Sequence, residues 1–214
     1  MSFCKDKVAV VTGAGGTLCG PIAVDLASKG AKVVLIGRTA AKLEATAAEI
    51  AKVGGVCRIE TASVIDEPAV QAIADKVAAE WGPCQFLVNG AIINFGSMNT
   101  YRPLTRVAAY AMSKAAIANW TQFLAQYLAP AKIRVNAIAP GFFVNDRSRK
   151  ILCTPDGGLT ARGEQVMAHT PTRRFGEAKE LLGCVDWLLD DEKSGFVTGI
   201  TVPVDGGFLA SAGV

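Results

Sequence analysis

The chain has 214 residues, 50% hydrophobic and 19% charged, with a formal net charge of +3. This length suits one α/β domain with a substantial core, and so apolar a composition fits parallel strands buried on both faces. The mild, dispersed charge gives no reason to expect a nucleic acid or membrane partner, and the absence of a long apolar run or leader points to the cytoplasm.

The run Lys7-Val8-Ala9-Val10-Val11-Thr12 reads as a first strand, followed by the glycine turn Gly13-Ala14-Gly15-Gly16-Thr17-Leu18-Cys19-Gly20 and the start of a helix. Glycines allow a tight turn and close backbone approach, and a helix N-terminus offers free N–H groups to a pyrophosphate. Lys32 to Ile36 is a second apolar strand, after which Gly37-Arg38-Thr39 stands where a ribose-binding carboxylate is expected in an NAD site. With a guanidinium there instead, NADP(H) is favoured, NAD(H) remaining an alternative. Leu43, Ala47 and Ile50 set a helix over Thr39 to Ala51, and Val56 to Val64 reads as a third strand. Asp66-Glu67-Pro68 then opens a helix carrying Val70, Ile73, Val77 and Trp81, closed by Gly82-Pro83.

Two apolar strands follow with no linker, Leu87-Val88-Asn89-Gly90-Ala91 running straight into Ile92-Ile93-Asn94-Phe95-Gly96. Parallel neighbours cannot be joined in this way, because a crossover takes roughly a dozen residues or more. A segment is therefore expected between Ala91 and Ile92, either left out of the sequence or lost from the protein, and ordinary loop lengths favour the first.

Ser97 closes the second of these strands, where a hydroxyl at a parallel strand's carboxyl end faces the ligand crevice. Thirteen residues on, Tyr110 and Lys114 are four apart in a helix expected over Val107 to Ala129, with Ile117, Trp120, Leu124 and Leu128 as its apolar spacing. A phenol titrates near roughly 10 and an adjacent cation favours its ionised form, so Tyr110 can serve as acid/base for a carbonyl/alcohol couple, with Ser97 bonding the substrate oxygen. Ala118, Phe123 and Tyr127 form a second apolar face on that helix. Ile133 to Ile138 is a further strand and Glu177 to Leu189 a further helix, giving a doubly wound parallel sheet with the cofactor at its switch point.

Thr12-Gly13 with the glycines after it, Asn89-Gly90-Ala91, Ser97, Tyr110-x-x-x-Lys114 and Pro140-Gly141 together resemble the short-chain dehydrogenase/reductase family. The resemblance covers nearly the whole chain as one domain, 1–214, and the stretch Phe196 to Phe208 resembles the family's last strand and C-terminal turn. It implies Ser97, Tyr110 and Lys114 as catalytic residues, with Lys114 lowering the phenol's pKa and holding the nicotinamide ribose. It implies cofactor contacts from Gly13, Gly15, Gly16, Thr17, Leu18, Arg38, Ser63, Val64, Asn89, Gly90, Tyr110, Lys114, Pro140, Gly141 and Phe143. Thr17 and Cys19 replace two glycines of the family loop, and reading Gly20 as the last one needs an extra loop residue. This spacing, together with Ser97-Met98-Asn99, Pro140 to Val144 and His169 to Glu177, is similar to the D-mannonate oxidoreductase (fructuronate reductase) branch. The missing segment would then be two helices, one bearing the family's catalytic asparagine.

Residues 142–170 are expected as an irregular substrate lid, with Arg147, Arg149, Lys150, Arg162 and His169 suited to an anionic substrate; Asn99 and Arg147 join Ser97 as substrate contacts, and Arg102 and Arg106 lie near Tyr110. The expected activity is interconversion of a carbonyl and a secondary alcohol on a sugar acid. The alternatives are another carbonyl (neutral sugar, polyol or 3-oxoacyl thioester) or, if the segment after Ala91 is truly deleted, a noncatalytic nucleotide-binding protein. Six cysteines without Cys-x-x-Cys spacing and one histidine argue against a metal, and the family's habit implies a homodimer or homotetramer.

Overall fold

The computed structural model describes residues 2–88 and 93–211, with the backbone alone described for Val88, Asp146 and Arg147. Within the α/β fold expected from sequence, the chain packs as two compact units, Met1–Ile93 with Val185–Gly195, and Asn94–Cys184 with Phe196–Val214. The anticipated gap between Ala91 and Ile92 lies outside the described residues.

The first unit is built on strands β1 (Val8–Thr12), β2 (Lys32–Gly37), β3 (Val56–Thr61) and β4 (Cys84–Val88), all parallel, in the order β3-β2-β1-β4. Crossover helices α1 (Cys19–Ser28), α2 (Ala40–Lys52) and α3 (Glu67–Trp81) join them in turn, as parallel pairing requires. Val33, Val34 and Leu35 are fully buried, which is why β2 reads as a continuous apolar run rather than an alternating one. On the edge strand β3, Arg58 pairs with Glu60 and Glu80 and stacks over Trp81. That strand ends at Thr61, three residues short of the expected Val64, because the chain turns: the Asp66 amide donates to the Ser63 carbonyl, and the Asp66 carboxylate caps α3 by accepting from Ala69 N at 3.1 Å.

The second unit holds β5 (Ile93–Phe95), α4 (Ala108–Tyr127), β6 (Asn136–Pro140), α5 (Asp146–Leu152) and α6 (Ala161–His169). Strand β7 (Thr201–Val204) completes a sheet of order β5-β6-β7, with β6 and β7 parallel, while most of helix α7 (Leu182–Leu189) and all of α8 (Asp191–Ser194) belong to the first unit. Three expectations are corrected here. Strand β6 begins at Asn136 rather than Ile133, because the preceding backbone is engaged elsewhere: Ile133 N donates to the Leu128 carbonyl at 3.3 Å and Val135 N to Thr198 Oγ1 at 3.0 Å, while the Asn136 side chain donates through Nδ2 to the Val197 carbonyl at 3.0 Å.

Residues 142–170 are not irregular, since α5 and α6 fill most of them. Thr160 caps α6 by accepting from Gly163 N, and a Cβ at Gly163 would lie 2.1 Å from the Leu152 carbonyl oxygen, so only glycine lets the two helices approach. On α4 the buried stripe runs through Ala111, Thr121 and Ala125, and Trp120, expected on the inner face, is 51% exposed. Among the described residues no helix is long and apolar enough to cross a membrane.

Candidate active site

In the first unit the chain leaves β1 through Gly13, whose φ of +62° favours glycine. Gly15 passes so close to α2 that a Cβ there would stand 2.6 Å from Lys42 Cβ. Gly16 and Thr17 are exposed, and Leu18 starts α1 with no side-chain cap and no acidic residue in the first turn. Such an uncapped end turns the positive end of the helix dipole toward the glycine turn, so these residues fit the pyrophosphate of a dinucleotide. Arg38, just past β2, is exposed and makes no hydrogen bond or ion pair with another described residue. Ser63 is half-buried and turns the chain toward α3, leaving Val64 55% exposed. Asn89 and Gly90 lie outside the described residues.

In the second unit, Ser97 follows β5 and is 5% exposed. Its hydroxyl oxygen accepts from Asn99 N at 3.2 Å and from Asn99 Nδ2 at 3.4 Å, and its own proton is donated to no described residue. Ser97 N in turn donates to Thr100 Oγ1 at 3.3 Å, and that hydroxyl donates to the backbone carbonyl of Lys114 at 3.0 Å. The loop bearing Ser97 is thereby fastened to the helix bearing Tyr110 and Lys114. Lys114 is further anchored by Nζ donating to the Phe95 carbonyl at 2.8 Å, and the same ammonium lies 5.6 Å from the centre of the Tyr110 ring. Tyr110 itself is 47% exposed.

A hydrogen-bond donor and a fixed cation are thus held by one short network, with a phenol on the same helix as the cation, groups of the kind that polarise a carbonyl and pass it a proton. Thr100, which makes the connection, was not anticipated from the sequence; a Ser-x-x-Thr capping spacing at Ser97 was the available signal.

Other expected residues fall differently. Asn99 is 4% exposed, with Oδ1 accepting from Leu104 N at 2.9 Å and Nδ2 turned to Ser97, so its amide braces the loop instead of reaching outward to a substrate. Arg147 has its backbone on α5 and its side chain lies outside the described residues. Pro140 ends the buried strand β6, and Gly141 is pressed against Asp205, where a Cβ would come within 2.6 Å of Asp205 Cα. Phe143 is half-buried and bridges to Gly176. Arg102 donates to the Ser211 carbonyl.

Residues 7–91 match the family model described as short chain dehydrogenase, and residues 88–209 match one described as enoyl-(acyl carrier protein) reductase. The chain belongs to the short-chain dehydrogenase family. This short-chain dehydrogenase is an NAD(P)-dependent oxidoreductase of small molecules, with a Rossmann-like parallel sheet flanked by helices. It is 35% identical to the uncharacterised oxidoreductase UxuB of Bacillus subtilis, covering 97% of this chain and 96% of that one. That alignment runs over 268 positions against the 214 residues here, so the relative carries residues without a counterpart in this chain.

Among solved structures, a candidate D-mannonate oxidoreductase from Haemophilus influenzae with bound NAD superposes with a TM-score of 0.92. It is 31% identical, over 98% of this chain and 97% of that one. A candidate NAD(P)-dependent gluconate 5-dehydrogenase from Beutenbergia cavernae, with NADP bound at low occupancy, gives a TM-score of 0.82. It is 27% identical, over 97% and 98% of the two chains.

Proposed function

We propose that this short-chain dehydrogenase interconverts a carbonyl and a secondary alcohol on a sugar acid of the D-mannonate/D-fructuronate type, with NADP(H) as the preferred cofactor. The observation that carries the chemistry is the fastening of Ser97 to Lys114 through Thr100, with Tyr110 on the same helix as the lysine. When bound, the nicotinamide supplies or accepts the hydride. Tyr110 passes the proton to or from the substrate oxygen, and Ser97 donates its unused proton to that oxygen as charge develops on it. Lys114 holds a positive charge beside the phenol, and the ribose hydroxyls are within its remit as a donor.

The glycine loop and the start of α1 would hold the pyrophosphate, Arg38 the 2′-phosphate, Ser63 and Val64 the adenine end, and Pro140, Gly141 and Phe143 the nicotinamide end. The sugar-acid reading is supported by the Haemophilus and Beutenbergia relatives and by the basic residues Arg149, Lys150 and Arg162 on α5 and α6. Purified protein assayed with D-fructuronate, a neutral ketose and a 3-oxoacyl thioester, following NADPH oxidation, should turn over the sugar acid with the highest kcat/KM. A tenfold preference for either of the other two would refute the assignment.

We also infer that a crossover belongs between Ala91 and Ile92, a reading supported by the longer alignment with the Bacillus relative. The intact mass of the protein is then expected several kilodaltons above 22.3 kDa, and a mass of 22.3 kDa would mean a true deletion. A second copy is placed against α4. Trp120 and Phe123 stack there with ring centres 5.3 Å apart, Phe123 and Tyr127 at 5.8 Å, and all three are at least half exposed, which supports pairing.

A further inference from the structure

The acid/base network leaves unused a set of polar side chains on one face of α6. Arg162, Gln165 and His169 lie three, then four residues apart, so they share that face, and all three line a pocket of about 300 Å³. Its apolar walls include Leu104, Phe142 and Phe208, the two aromatic rings meeting edge to face with centres 5.5 Å apart. The volume lies at the lower end of the range of small-molecule sites. This pocket is tied to the candidate catalytic hydroxyl: Leu104 N donates to Asn99 Oδ1, and Asn99 Nδ2 donates to Ser97 Oγ.

Arg162 is half-buried and makes no hydrogen bond or ion pair with another described residue. A guanidinium beside aromatic walls, without a protein anion, favours an anionic ligand, and its planar fork matches a carboxylate in a two-point pair. His169 Nδ1 lies 2.8 Å from the Gln165 carbonyl oxygen. Since a carbonyl oxygen only accepts, that contact puts the proton on Nδ1 and leaves Nε2 of the neutral ring as an acceptor. One wall thus offers a site for a carboxylate, and about two turns along the helix a site for a hydroxyl.

We propose that this pocket reads the acid end of the substrate, with Arg162 gripping the carboxylate and His169 Nε2 accepting from a nearby hydroxyl, so that Arg162 discriminates sugar acids from neutral sugars. The proposal rests on the sugar-acid reading above. Its test is calorimetric titration of the full chain with D-mannonate and with D-mannitol, for the wild type, Arg162→Gln and Arg162→Lys, with NADPH affinity measured by fluorescence as a check on folding.

The expected result is a loss of D-mannonate affinity on the order of 10- to 100-fold in Arg162→Gln and a smaller loss in Arg162→Lys. D-Mannitol and NADPH binding should not change. Unchanged D-mannonate affinity in Arg162→Gln, an equal fall for both sugars, or no D-mannonate binding by the wild type would each overturn the subsite. Binding that depends on Arg162 without turnover would sustain the subsite and overturn the proposed activity, whereas turnover of D-mannonate undiminished in Arg162→Gln would do the reverse.

Discussion

The Thr100 hydroxyl donates to the backbone carbonyl of Lys114 at 3.0 Å, across a separation of 14 residues. The same oxygen accepts from Ser97 N, so one side chain sets the distance between the candidate carbonyl-binding loop and the candidate acid/base helix. Thr100→Val, close in shape, leaves the Ser97 N–H unpaired, at a cost of about 1–3 kcal/mol where it is buried, and removes the tie to the Lys114 carbonyl, which keeps its own bond within α4. The variant should unfold at lower urea and lose kcat/KM, and Thr100→Ser should recover most of both. Wild-type activity in Thr100→Val would show that the tether is dispensable.

Tyr110→Phe removes the proposed proton-transferring group and keeps the ring that faces Lys114. General acid/base catalysis contributes typically about 10²–10⁴-fold, and turnover should fall by at least that factor, with cofactor affinity retained. Steady-state rates alongside fluorescence titration of NADPH check this; an undiminished rate would remove Tyr110 from the mechanism.

Arg38→Asp replaces an exposed, unpaired guanidinium with a carboxylate that repels a 2′-phosphate and can bond ribose hydroxyls. The ratio of kcat/KM for NADPH over NADH should drop and is expected to invert. A ratio equal to that of the wild type would mean that the side chain only faces water.

Burial pushes the Cys4 and Cys184 thiols up from the ordinary 9.0 to about 11. The thiolate is the reactive form, so both should resist iodoacetamide at pH 8 in the folded protein and be alkylated in urea, as read by peptide mass spectrometry. Because the folded-state values are the higher ones, the stabilisation is complete below about pH 9 and lost as pH rises toward about 11. A urea midpoint that rises over that window would contradict the burial of these thiols.

Elements that announce themselves locally were legible in the sequence. The Asp66-Glu67-Pro68 start of α3, the glycine turn after β1 and the continuous apolar run of β2 depend on neighbouring residues and appear where expected. Misplaced features depend on distant partners. Strand β6 starts late because Thr198 and Val197 take up bonds near its beginning from more than 60 residues away. Helix α6, with the sequence ARGEQVMAH, is too polar to advertise itself, and the fit of Gly163 over Leu152 has no signature in composition.

The candidate site divides in the same way. Ser97, Tyr110 and Lys114 can be singled out from residue type and helical spacing alone. The inward turn of Asn99 and the bridging of Thr100 depend on which backbone groups fold next to them.

Lys29, on the segment leaving α1, bonds both Asp25, four residues earlier, and Asp186, 157 residues later. The stretch Val185–Gly195 belongs with the first 93 residues, although more than ninety others are made between them. A chain emerging from the ribosome therefore reaches the end of β4 with the first unit still short of its last piece, and that unit closes only when synthesis is nearly finished. The unit that carries the glycine turn is begun first and completed late.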